Sequence, residues 1–274
     1  MSDLAILLPA LTLCVLMILT HAYLGLHVLA RGIIFVDLAL AQVAALGVSL
    51  AFLLGKDAHG LSAQMFALGA TLVAALGFAR LRAIPDKVAR EVAIGCVYVV
   101  TTALSIVILS RSAMGMEEMK SMFNGNILWV RWSEIGIMAV VYFLLTLLHL
   151  AFGKRFLALS TDKEGKRRSS FVLEFLFFGS FAVVITLAVN LAGVLLVFAF
   201  LIIPAFSASI LTKAFSKRLV VGWIMGLAGS VAGLAFSYEM DLPTGATVVS
   251  CLGILPLVSV AIYFMKTKRA TGQT

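Results

Sequence analysis

The sequence predicts an all-α fold, a polytopic transmembrane helical bundle of 8–9 spans. Three observations carry this. Of the 274 residues, 62% are apolar and only 12% are charged, against roughly 45–50% and about 25% in soluble domains. The mean hydropathy is +1.11. Nine separate stretches supply the ~20 apolar residues that a helix rising about 1.5 Å per residue needs to cross hydrocarbon. They run approximately over 4–22, 32–54, 61–79, 92–110, 133–152, 171–189, 192–211, 219–236 and 247–265. No polar stretch reaches the ~50 residues of a small soluble domain, so one transmembrane domain over 1–274 is expected.

The first run follows Met-Ser-Asp with neither a basic n-region nor a small-residue cleavage site, and reads as a retained span. The second carries Asp37 and Gln42 amid apolar residues. Between the fourth and fifth, Met114, Met116, Met119 and Met122 share a connector with Glu117, Glu118 and Lys120. Thioethers suit Cu(I), but the interleaved charges favour an amphipathic interfacial helix. His149 near the end of the fifth span asks only for a hydrogen bond to a neighbouring helix. The sixth and seventh runs are separated by little more than Asn190 and Leu191, so one of them could be re-entrant, giving eight full spans. Pro204 and Pro256 fall inside spans, where they kink helices and free carbonyls. Gly222/Gly226 and Gly229/Gly233 in the eighth are small-xxx-small pairs. They serve packing within the chain, or a dimer face.

Charge orients the bundle. With the C-terminus in the cytoplasm, all but four of the 21 basic residues fall inside; the four are Lys56, Arg111, Lys120 and Arg131. The reverse orientation inverts the count, so the positive-inside rule places the C-terminus in the cytoplasm. Nine spans then put the N-terminus outside. The formal net charge of +8 lies in short connectors between spans, which sets topology and gives no reason to expect nucleic acid.

No catalytic motif is present: no H-E-x-x-H, no G-x-S-x-G and no Cys/His cluster at ligand spacing. Glu164-Gly165-Lys166 lacks the first glycine and the hydroxyl of a P-loop, so the chain is not expected to hydrolyse ATP by itself, and no cofactor is expected. Cys14, Cys96 and Cys251 lie in apolar runs and read as small core residues. Ionisable groups inside spans are few. Glu174, just beyond the basic 163–168 cluster, reads as half of an interfacial ion pair. Asp37 falls about five residues, or roughly 7–8 Å, into the second span. Two accounts of it stand side by side: a salt bridge to Arg31 or another basic residue at that face, or a polar lining of a translocation path, which would also explain Gln42.

Five stretches, in order, resemble one family: the membrane permease subunit of ABC importers for zinc, manganese or iron. Residues 25–47, GLHVLARGIIFVDLALAQVAALG, look like its second-helix signature. Residues 91–96, EVAIGC, look like its acidic-x-Ala-Ile-Gly start of the fourth helix, and 125–130, GNILWV, its turn before the fifth. Residues 193–205, GVLLVFAFLIIPA, and 241–246, DLPTGA, match its later motifs. The resemblance implies a fold similar to type II ABC importer permeases, in a bacterial-type plasma (inner) membrane, with membrane lipid around it. It further implies a homodimer that docks two copies of a separate ABC ATP-binding subunit and receives cargo from an extracytoplasmic solute-binding protein. ATP is hydrolysed by the partner chain, and the dimer opens alternately to each side.

The resemblance also proposes roles. The ATPase would press on a short cytoplasmic coupling helix, for which two segments qualify: Phe156 to Arg168, with Asp162 and Glu164, and Lys213 to Arg218, with Lys217, directly after the Pro204 motif. Aligned on Gly47, Gln42 takes the place of the family's histidine and Leu38 that of its aspartate, the carboxylate having moved to Asp37. Residues 37 and 42 differ by about 140° around a helix, so the pair cannot aim at one ion in the usual way. Asp37 is therefore expected to be a transient metal contact, with Gln42 elsewhere along the path. Glu239 and Asp241 are expected at the outer face, where a cation or a basic partner residue arrives. The function read from this is the permease of an ATP-driven importer for a divalent transition metal, by alternating access; a proton-coupled secondary transporter is the alternative.

Overall fold

The structure, a computed structural model, describes residues 3–58, 60–81, 83–84, 86–111, 117, 120, 122, 125, 127–162 and 170–271. Among the described residues there are nine long helices and no strands. They are α1 (Asp3–Arg31), α2 (Val36–Leu53), α3 (Leu61–Leu81), α4 (Lys87–Leu109), α5 (Trp132–Ser160), α6 (Phe171–Ala192), α7 (Val194–Leu211), α8 (Phe215–Met240) and α9 (Thr244–Thr271). A short 3-10 turn covers Ile127–Trp129. All nine are long and apolar enough to cross a membrane, so the sixth and seventh runs are both full helices. They are divided by Gly193 alone, whose φ of +78° is open to glycine at little cost. Of the methionine-rich connector, Met114, Met116 and Met119 lie outside the described residues.

Contacts group the chain into two compact units, one of residues 1–29, 127–137 and 195–274, the other of 30–126 and 138–194. In the second, α2 packs against α3, α4 and α6, and α3 against α6. A Cβ on Gly47 would stand 2.6 Å from Ala67 Cα and 2.7 Å from Phe66 O, so α2 meets the backbone of α3 directly. Thr71 and Thr186 hydroxyls join α3 to α6 at 2.9 Å, and the Tyr142 hydroxyl on α5 donates to Val184 O on α6 at 3.1 Å. Phe156 and Phe177, both fully buried, pack edge to face with ring centroids 5.7 Å apart.

In the first unit, α8 and α9 form a hairpin closed by Asp241 in the left-handed region at φ +52°. The Leu242 N–H donates to Ser237 O at 3.0 Å, and the Ser237 and Thr244 hydroxyls lie 2.6 Å apart. The glycines of α8 serve packing within the chain. Gly222 and Gly226 rest on Pro204 of α7 and on Ala22 and Ile18 of α1, while Gly229 and Gly233 rest on Leu252 and Val248 of α9. They are buried, so the dimer-face reading of these pairs does not hold. The cysteines divide: Cys14 is buried as expected, Cys251 is half-buried, and Cys96 is exposed, so it is not the core residue expected.

Candidate functional site

α1 runs on through Arg31, well past the expected end of the first span, and this moves the start of α2. Gly32 at φ +66° turns the chain, the Val36 N–H closes the turn on Ile33 O at 3.2 Å, and α2 begins at Val36. Asp37 therefore stands in the first turn of α2, not five residues deep in a span. A carboxylate in that turn is favoured by the exposed amide dipoles of a helix N-terminus.

Phe35 at the N-cap supplies no side-chain hydrogen bond to α2. The acceptor comes from another helix: Glu91 Oε1 of α4 takes the Phe35 N–H at 2.9 Å. α4 is itself capped by Asp86, whose carboxylate accepts from Val88 and Ala89 N–H at 3.1 and 3.3 Å. The EVAIGC stretch thus acquires a physical role, since its acid caps the helix that carries Asp37.

Asp37 is fully buried, and neither of its oxygens has a hydrogen-bond partner among the described residues. Its nearest expected partner is taken. Arg31 Nη1 donates to Glu174 Oε2 of α6 at 2.6 Å, its Nε donates to Ser160 Oγ at 2.9 Å, and the guanidinium carbon stands 3.8 Å from the centre of the Phe177 ring. So the bridge from Asp37 to Arg31 is not formed, and Glu174 is paired with Arg31. The basic 163–168 residues expected for Glu174 lie in part of the chain outside the described residues. His149, as expected, bonds a neighbouring helix, its Nε2 lying 2.8 Å from Ser180 Oγ on α6.

Gln42 is also buried, and its Nε2 has no partner among the described residues. It lines a small cleft with Thr102, Ser105 and Leu109 of α4. Asp37 shares a helix face with Ala44 and Val48, which line a different, larger cleft with Gln64, Leu68 and Asn190. The two polar residues of α2 therefore serve different faces, as their spacing requires.

The remaining expected residues lie elsewhere. Glu239 and Asp241 are exposed at the α8–α9 turn, in the other unit. Pro204 is within α7 and packs on the α8 glycines. Only Thr212, Lys213 and Ala214 separate α7 from α8. Lys217 and Arg218 belong to the first turn of α8, and Arg218 Nε donates to Thr212 O at 2.8 Å. Phe156 to Ser160 is the end of α5, Asp162 follows it, and Glu164 lies outside the described residues. Sequence reasoning missed the Arg31–Glu174–Ser160 cluster and the Glu91 cap. Glu91 stood inside a recognised motif and could have been found there; Glu174 offered no sign of so distant a partner.

Nine helices long and apolar enough to cross a membrane, with a buried carboxylate that has no hydrogen-bond partner among the described residues, place the chain among polytopic membrane proteins. More narrowly, it belongs to the ABC 3 transport family, whose profile matches residues 3–263, as the five motifs led one to expect. It is 28% identical over 244 residues to the manganese transport system membrane protein MntC of Listeria monocytogenes, covering 88% of this chain and 82% of that one. To a probable iron transport system membrane protein of Haemophilus influenzae it is 26% identical over 241 residues, covering 87% and 83%. Its fold matches a chain of PsaBC from Streptococcus pneumoniae, solved in complex with Fab, with a TM-score of 0.74 at 23% identity over 94% of this chain and 92% of that one.

Proposed function

We propose that the chain is the permease subunit of an ATP-driven importer of a divalent transition metal, with manganese or iron as cargo. The observation that carries this reading is Asp37. A buried carboxylate without a partner is costly, and inside a membrane such a group marks a cation path. Family membership supports the importer mechanism, and the names of the manganese and iron relatives support the cargo. Two copies of the permease enclose the path in a plasma membrane, with the C-termini in the cytoplasm. A separate ATPase drives alternating access from that side, pressing on the Lys213–Arg218 junction or the segment that includes Asp162 and Glu164. A solute-binding protein delivers cargo at the opposite face, near Glu239 and Asp241. Cation release needs only a weak, transient site, which one carboxylate and a distant amide supply. A proton-coupled carrier is less well supported, since the family is ATP-driven and no internal repeat is visible in the sequence.

The test is uptake of Mn²⁺ and Fe²⁺ into liposomes holding the permease with its ATPase and binding protein. Loaded binding protein is expected to stimulate ATP hydrolysis, and Asp37→Ala to abolish uptake. Uptake that follows a pH gradient without ATP would sink the reading.

A further inference from the structure

Gln42 leaves a polar group stranded between two helices. It is 2% exposed on α2, and its Nε2 has no hydrogen-bond partner among the described residues. An amide nitrogen carries two N–H donors, and burying them unanswered costs free energy. The cleft beside it has apolar walls that include Ala45, Leu109 and Val194. The hydroxyls of Thr102 and Ser105 are its other polar groups.

Thr102 and Ser105 stand three residues apart on α4 and so share one side of that helix. Each hydroxyl hydrogen is already committed. Thr102 Oγ1 donates to Tyr98 O at 2.7 Å, and Ser105 Oγ donates to Thr101 O at 2.9 Å. A hydroxyl has one hydrogen and two lone pairs, so both residues present only lone pairs to the cleft. α4 thus offers acceptors and α2 a donor. The two sides do not bond directly, since Nε2 finds no acceptor within reach.

The free volume of the cleft is about 10 Å³, roughly the room of a single water molecule. The chemistry of the lining selects the same ligand. A cation here would face the amide N–H, and an anion would face the hydroxyl lone pairs. No carboxylate, imidazole, thiol or basic side chain among the described lining residues offsets either. Water accepts from one side and donates to the other.

We propose that one water molecule is bound in this cleft, its oxygen accepting from Gln42 Nε2 and its two hydrogens going to Thr102 Oγ1 and Ser105 Oγ. Three hydrogen bonds are the usual number for a buried water. The water ties α2 to α4 and gives Gln42 a part in holding the two helices together. That part stands whatever the permease carries, so the inference goes beyond the transport reading and does not depend on it.

The experiment uses the full-length permease in detergent micelles with EDTA, so that no metal occupies the cleft. The chain has only three glutamines, Gln42, Gln64 and Gln273, which makes their side-chain amides easy to tell apart in a deuterated, ¹⁵N-glutamine-labelled sample. Gln42→Leu identifies the Gln42 pair by its disappearance. Should that variant fail to accumulate, Gln64→Leu and Gln273→Leu identify it by elimination. In wild type, a rotating-frame Overhauser cross-peak is expected between the Gln42 amide protons and water, opposite in sign to chemical exchange. Thr102→Val/Ser105→Ala removes both acceptors and is expected to lose the cross-peak; Ser105→Ala alone weakens it and serves if the double variant does not fold. Absence of the cross-peak in wild type overturns the inference, because the cleft is then dry. An unchanged cross-peak in the acceptor variants overturns it as well, because the water seen is then not held by these hydroxyls. The uptake measurements decide the transport reading separately.

Discussion

Arg31 and Glu174 are 143 residues apart in the chain and meet at 2.6 Å, both buried, at the turn that leads into α2. A buried pair of this kind is weak support for stability as a whole but costly to break on one side. Glu174→Leu is expected to cost ~3–5 kcal/mol, and Arg31→Met/Glu174→Leu together far less than either alone. Thermal unfolding in detergent, followed by the fluorescence of Trp129, Trp132 and Trp223, measures both.

Gly47 allows two helix backbones to touch. Gly47→Ala puts a methyl within 2.6–2.8 Å of the Phe66–Ala67 backbone, and overpacking of this kind costs about 1–3 kcal/mol. Gly77→Ala and Gly136→Ala, where nothing lies within 4 Å, are expected to be neutral in the same melting measurement.

Glu91 supplies the cap that Phe35 lacks. Glu91→Ala should destabilise the first turn of α2 by about 1 kcal/mol, the usual worth of an N-cap, while Glu91→Gln, which keeps an acceptor oxygen, recovers most of it. Hydrogen exchange at the Phe35 amide reports the difference, faster in Glu91→Ala and near normal in Glu91→Gln.

Much of this fold was open to reading from composition alone. The nine helices follow from runs of apolar residues, because in hydrocarbon the backbone has no alternative to internal hydrogen bonding. Their ends did not follow so readily. α1 continues to Arg31 because a long basic side chain can be satisfied by Glu174 inside the protein, and hydropathy alone treats any arginine as a boundary. The site was half legible. Asp37 and Gln42 stand out by chemistry in an apolar run, and their opposite faces follow from spacing. Which acid takes Arg31 depends on packing between α1, α5 and α6, and no local pattern encodes it.

Asp241 occupies a left-handed backbone position at φ +52°, which glycine adopts without strain. Asp241→Gly should leave the melting temperature unchanged or raised, so any effect on transport isolates the carboxylate. Uptake at limiting loaded binding protein is expected to fall in Asp241→Gly and to be unchanged at saturation.

Gln42 faces a cleft shared with Thr102 and Ser105, whose hydroxyls are committed to Tyr98 O and Thr101 O. Gln42→His places an imidazole there, a stronger ligand for borderline metals than an amide. Competition uptake should show selectivity shifted from Mn²⁺ toward Zn²⁺.

The reach of the Arg31–Glu174 pair has a consequence for biogenesis. At about 5–20 residues per second, a ribosome needs roughly 7–29 s to travel the 143 residues between them. Through that interval the nascent chain carries Arg31 with its eventual partner still unmade, so the arginine must extend toward the membrane surface and the lipid headgroups. Glu91 of α4 can cap the turn earlier, but Arg31 can be paired by Glu174 only when α6 arrives. Insertion of the α8–α9 hairpin, whose Ser237–Thr244 tie is seven residues long, needs no such wait. Truncated nascent chains ending before Glu174 should therefore keep a cysteine placed at residue 31 open to water-soluble thiol reagents, and chains extending past α6 should close it off.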